Sequence, residues 1–129
     1  MASDSDTKKD DSVTTIKELQ DILSKFITDR DWDKYHHPKE VAVSLAVEAG
    51  ELLEIFQWMD RVPVEQMKKD PKLMERIRDE LADVLGYCLD FGKRLDIDIT
   101  KAYIEKMAKN EKKYPVEKSR GNHKKYTEL

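Results

Sequence analysis

The stretches VAVSLAVEAGELLEIFQW at residues 41–58 and LMERIRDELADVLGYCLDF at 73–91 decide the fold. In both, apolar residues recur every three to four positions, which is the period of an α-helix and not the alternation of a strand. The first run is apolar on more than one side, through Val41, Val43, Leu45, Val47, Leu52, Leu53, Ile55 and Phe56. Such a helix needs partners over most of its girth, and in a four-helix chain that suggests burial against a second subunit. Pro38 sits well in the first turn of this helix, which is expected to reach about Trp58. Asp70-Pro71 caps the next long helix, expected over about 72–95.

Each run carries two acids three residues apart, Glu48 with Glu51 and Glu80 with Asp83, so each pair projects from one helical face. An acidic pair on a helix is usually just a solvated face. Here the neighbours say otherwise: Glu48 falls between Val41, Ser44, Leu45, Leu52 and Ile55, and Glu80 among Leu73, Ile77, Val84, Tyr87 and Phe91. Two unit charges ~5 Å apart repel by roughly 3 kcal/mol at an effective dielectric near 20. Four clustered carboxylates contain several such pairs and add desolvation, a total that rivals a domain's stability of about 5–15 kcal/mol. Either most of these acids are protonated or hard cations bind between the helices. Metal binding is the better account, and oxygen-only donors favour Mg²⁺, with Mn²⁺ as a substitute.

Outward from these runs the chain reads as an all-α domain. The tail at 1–12 is polar and expected to be disordered; the domain spans 13–114, and an extended tail follows at 115–129. Thr15-Ile16-Lys17-Glu18 has the form of a capping box, and apolar residues from Ile16 to Ile27 carry that helix to about Arg30. A loop at 31–38 holds Trp32, Tyr35, His36 and His37, and the connector 60–71 has room for a short turn at 64–67. Asp96 or Asp98 caps a last helix over about 99–113, which Pro115 ends.

The whole chain of 129 residues supports one core and not two. Its net charge of −3 gives no bulk attraction to a nucleic acid polymer, and no run of roughly 18 apolar residues predicts a membrane span. The lone Cys88 excludes an internal disulfide and an all-cysteine metal site; it reads as a buried thiol, and a cytoplasmic setting fits. A di-iron bundle also gathers acids between helices, but generally through Glu-x-x-His pairs. Both pairs here end in acids, and His36, His37 and His123 lie outside the expected core.

The order Glu48-x-x-Glu51, a gap of 28 residues, then Glu80-x-x-Asp83 resembles the signature of the MazG-like, all-α nucleoside triphosphate pyrophosphatases. RDWDKYHHP at 30–38, EAGELLEIFQW at 48–58, DELADVL at 79–85, KMAKNEKKYP at 106–115 and the terminal KKYTEL are similar to the dCTP pyrophosphatase branch in order and spacing. The likeness covers nearly everything after residue 20. It implies a four-helix MazG-like bundle assembled as a homo-oligomer, expected as a tetramer, that converts a nucleoside triphosphate and water to the monophosphate and diphosphate. It implies Glu48, Glu51, Glu80 and Asp83 as catalytic metal ligands, one of which instead orients the water. Glu54, one turn further, either supports that set or is merely solvated.

The same likeness places Trp32 and Trp58 at the base and makes Lys106, Asn110 and Lys113, on one face of the last helix, contacts for phosphate or sugar. Tyr87, on the Glu80 face, is expected near the sugar or phosphate, and His36 is open between pocket and loop packing. Where the dCTP branch carries a pocket histidine this chain has Leu23, which loosens selectivity for cytosine. The expected substrate is dCTP or a modified dCTP, a role in nucleotide-pool sanitation. The alternative is a non-catalytic helical module that binds nucleotide or metal in the same cleft.

Overall fold

A computed structural model describes residues 9–129. Among them there are helices and turns and no strand, so the all-α expectation holds. The elements are α1 (Ile16–Asp29), a 3₁₀ turn at Asp33–Tyr35, α2 (Pro38–Phe56), α3 (Val64–Lys68), α4 (Pro71–Arg94), α5 (Ile99–Lys113), α6 (Val116–Ser119) and a terminal 3₁₀ turn at Tyr126–Glu128. The expected tail at 1–12 lies outside the described residues as far as residue 8; from Asp10 the chain makes a turn, with Val13 and Thr14 amides donating to the Asp10 carbonyl.

Local chemistry sets each helix start. The Glu18 amide donates to Thr15 Oγ1 at 3.1 Å and the Thr15 amide to Glu18 Oε1 at 3.3 Å, the reciprocal capping box at α1. The Lys39 amide donates to His37 Nδ1 at 3.1 Å ahead of Pro38, so His37 serves as a cap to α2. Asp70 caps α4 through the Leu73 amide at 3.1 Å, and Asp98, not Asp96, caps α5 through the Lys101 amide at 2.9 Å. Asp96 has a different task. With φ of 54° it takes the left-handed conformation that stops α4, as Asp31 does after α1.

The chain forms two compact units that divide after Asp96. In the first, α4 packs against α2 most extensively and against α1 and α3 as well. Ile27, Val41, Ile55 and Leu89 are the buried apolar side chains, and Gln20 Nε2 ties α1 to α4 by donating to the Leu89 carbonyl at 3.0 Å. This is a thin core. Val43, Val47 and Leu53 of α2 and Leu81 and Leu85 of α4 are exposed, Val43 and Val47 by more than half. Cys88 continues the Leu81–Leu85 stripe and is exposed too, which corrects the expectation of a buried thiol: among the described residues of the first unit, none covers that face of α4.

In the second unit the terminal stretch folds back instead of extending. Tyr126 meets Tyr114 edge to face at 6.1 Å and takes the Lys113 ammonium over its ring at 4.9 Å, because it carries apolar surface that water would otherwise solvate.

Replacing Ile27 by Ala is expected to lower unfolding free energy by about 2–5 kcal/mol in urea titrations, through lost burial and a residual cavity. Thr15→Ala removes only one cap and is expected to cost about 1 kcal/mol.

Candidate active site

The packing of α2 on α4 turns two separate acid pairs into one group. Glu48 and Glu51 leave α2 one turn apart, Glu80 and Asp83 leave α4 likewise, and a carboxylate oxygen from each of Glu48, Glu80 and Asp83 lies within 4.8 Å of the other two. Glu48 and Glu80 are half-buried and Asp83 is exposed. The Oε2 atoms of Glu48 and Glu80 are buried and have no hydrogen-bond partner. Glu51 stands beside them and repels both glutamates, but lies outside the converging three and is exposed to solvent. Glu54 is exposed on α2 and stays out of the group.

Burial is the first cause that raises the Glu48 carboxyl from its ordinary 4.5 to about 7; the Glu51 hydrogen bond and repulsion by Glu51, Asp83 and Glu80 follow. Burial raises Glu80 as well, followed by repulsion from Glu51. Buried carboxylate oxygens normally find a donor. Two orphans facing further carboxylates form a donor set of oxygen alone, which suits a hard divalent cation and offers nothing to a soft one.

Asp83 also belongs to the wall of a cleft of about 280 Å³ between α1 and α4. Trp32, Phe26, Leu23, Tyr87 and His36 line it, with Phe26 and Trp32 set edge to face at 5.8 Å. The wall is mostly apolar and aromatic, with a few polar groups at fixed places, the usual make-up of a small-molecule pocket. His36 therefore belongs to the cleft, where the sequence left it open. Its Nδ1 lies 2.8 Å from Asp90 Oδ2, and Asp90 is itself only 3% exposed. Arg94 Nε donates to Asp90 Oδ1 at 3.1 Å, and a terminal nitrogen of Arg94 reaches Asp33 Oδ1 at 3.1 Å. Asp90 and Arg94 escaped the sequence reading. The sequence signal is slight: Asp90 follows Asp83 by seven residues on one helical face, among mostly polar neighbours, and Arg94 follows at i+4.

Trp58 follows the end of α2 with 89% of its surface exposed and is not part of the cleft wall. Lys106, Asn110 and Lys113 lie on α5 in the second unit, where the Asn110 amide donates to Met107 Sδ at 3.8 Å.

Comparison with known proteins gives the chain a family. Residues 43–129 match the MazG-like family. The chain is 36% identical over 115 residues to dCTP pyrophosphatase 1 of Rattus norvegicus, covering 89% of this chain and 68% of that protein. It is 32% identical over 115 residues to dCTP pyrophosphatase 1 of Homo sapiens, with the same coverage. A pyrophosphatase of known crystal structure from Archaeoglobus fulgidus is 44% identical and aligns with a TM-score of 0.69 over 78% of this chain and 92% of that one. An all-helical chain with these relatives is a nucleoside triphosphate diphosphatase. It belongs to the MazG-like family.

The raised Glu48 carboxyl sets a sign for stability against pH. Its contribution is fully present below about 4.5 and is lost as pH rises through about 7, because the folded state then holds an unwelcome charge. Without divalent cation, the melting temperature is expected to fall between pH 5 and pH 8. Glu48→Gln should flatten that fall, and Mg²⁺ or Mn²⁺ should reverse it in the parent protein at pH 8. A melting temperature that ignores the cation would count against the acid group as its site.

Proposed function

We propose that the chain is a Mg²⁺-dependent pyrophosphohydrolase that converts dCTP or a 5-substituted dCTP to the monophosphate and diphosphate, working in the cytoplasm as a guard of the nucleotide pool. One observation carries the reading: converging carboxylates with orphaned buried oxygens share a residue, Asp83, with the wall of an aromatic cleft. A base in the cleft therefore has its phosphates near acids that otherwise repel one another. Glu48, Glu80 and Asp83 would hold the cation, with Glu51 beside them. When bound, the cation supplies charge neutralisation on the phosphates and a more acidic water.

The chain's own residues do the rest. The exposed Glu51 carboxylate, outside the converging three, orients the attacking water and takes its proton at an Oε atom. Oxygen then bonds to the α-phosphorus as the bridge to the β-phosphorus breaks, and diphosphate leaves. Trp32 stacks on the base beside His36, and Tyr87 meets the sugar or α-phosphate. Lys106 and Lys113 serve the triphosphate as point charges and Asn110 as a hydrogen-bonding group. Trp58 joins the base site in an assembly of copies, which the exposed stripes Val43–Val47 and Leu81–Leu85 favour; a tetramer is the expected form.

Hydrolysis of a triphosphate panel with Mg²⁺, followed as monophosphate and diphosphate, tests the reading. The parent protein should favour dCTP and 5-methyl-dCTP, and Glu51→Ala or Asp83→Ala should remove turnover with helicity unchanged by circular dichroism. Binding without hydrolysis in the parent would favour the non-catalytic module instead. Sedimentation should give a mass of at least two chains and, on this reading, four. Val47→Glu, which sets a charge into the exposed α2 stripe, should reduce that mass.

A further inference from the structure

Resting on the reading of the cleft as a base pocket, the hydrogen bonding behind His36 decides which base edge it accepts. Asp90 uses both oxygens: Oδ2 meets His36 Nδ1 at 2.8 Å and Oδ1 accepts from Arg94 Nε at 3.1 Å. Arg94 is anchored in turn on Asp33, whose second oxygen accepts from the Thr28 hydroxyl at 3.2 Å. A carboxylate only accepts, so the hydrogen between His36 and Asp90 belongs to Nδ1. A neutral imidazole with hydrogen on Nδ1 has its lone pair on Nε2. In the neutral ring, the nitrogen left for a ligand is an acceptor.

The other polar groups of the wall do not make this choice. A hydroxyl such as Tyr87 both donates and accepts, the Trp32 indole only donates, and Asp83 belongs to the acid group. Leu23 offers nothing polar.

We propose that Asp90 and Arg94 are positioning residues that hold His36 as an acceptor at Nε2, so that the pocket selects a base edge bearing an exocyclic amine over one bearing a carbonyl oxygen. An aminopyrimidine satisfies Nε2. A ketopyrimidine puts a carbonyl lone pair where the amine hydrogen would be and sets it against that of Nε2.

Nitrogen-15 NMR of the nucleotide-free protein reads the tautomer directly, with the His36 signals identified by their loss in His36→Asn. Hydrogen on Nδ1 with a bare Nε2 is expected; a ring protonated at Nε2, neutral or cationic, overturns the proposal. Asp90→Asn then inverts the device. Arg94 keeps the amide oxygen as its acceptor, so the amide NH₂ faces His36, Nδ1 must accept, and the hydrogen moves to Nε2. The kcat/KM ratio of dCTP over dUTP should fall about tenfold or more, through KM, with kcat within about twofold.

An unchanged ratio in a variant whose tautomer has moved overturns the proposal. Calorimetry of dCMP against dUMP on the parent protein carries the same expectation without turnover, and equal affinities overturn it even where Asp90→Asn does not fold. A parent protein that hydrolyses neither triphosphate refutes the proposed function instead, and the tautomer and the two affinities still decide this inference.

Discussion

The repulsion among carboxylates gathered between α2 and α4 is the constraint on which the rest of this molecule turns. The α2–α4 contact is the most extensive in the first unit, yet at its middle it brings together like charges in place of apolar side chains. Two carboxylate oxygens are buried there without a donor, a cost that falls on the same contact that organises the unit. The apolar side chains buried in the chain are few, so packing alone leaves little margin. On the proposed function, folding and cation binding are one linked equilibrium: what binds the acids in the folded state also stabilises it.

That linkage explains what the sequence made legible and what it concealed. Glu48 and Glu80 could be read as site residues because their neighbours at helical spacing are apolar, and an acid in an apolar stripe needs a reason. The helix starts at Thr15 and Asp70 were legible for the opposite reason, and the last start was narrowed to Asp96 or Asp98: a cap acts within three residues, close enough for the sequence to show its partners. Asp90 and Arg94 stayed hidden because their meaning lies in His36, 54 residues away along the chain. Trp58 was legible as an aromatic residue of the right kind but not as a placed one, since within one chain its indole meets little but solvent. The backward fold of Tyr126 onto Tyr114 was masked by the lysines around it, whose charge suggested an extended, solvated tail.

Cys88 shows the same limit from another side. Its place along α4 continues an apolar stripe, but the inference from apolar face to buried face needs something to cover it. Leu81 and Leu85 share the exposure, as do Val43 and Val47 on α2. Apolar periodicity reports that a surface should leave water; it does not say whether the partner belongs to the same chain. For α2 the excess was visible in advance, because its apolar residues exceed what one stripe of a helix can hold. For α4 it was not, because a single stripe is satisfied on paper by α1 and α2.

The two ends of the cleft then differ in kind. At the acid end the protein holds charges that repel, so the arrangement has latitude: small shifts of Glu51 or Asp83 change the energy gradually, and a cation can draw them in. At the base end the arrangement is a chain of directional bonds from Thr28 through Asp33, Arg94 and Asp90 to His36, each donor matched to one acceptor. Nothing there relaxes gradually, because a hydrogen is on one ring nitrogen or on the other. On the proposed function, adjustable carboxylates suit a cation, whose attraction to oxygen donors is not tied to one direction. A fixed tautomer suits a base edge, where the difference between an amine and a carbonyl is one hydrogen. The α4 helix carries both, with Glu80 and Asp83 at one level and Asp90 and Arg94 about three turns on, so a single helix sets the spacing between the acid group and the bonds that orient His36.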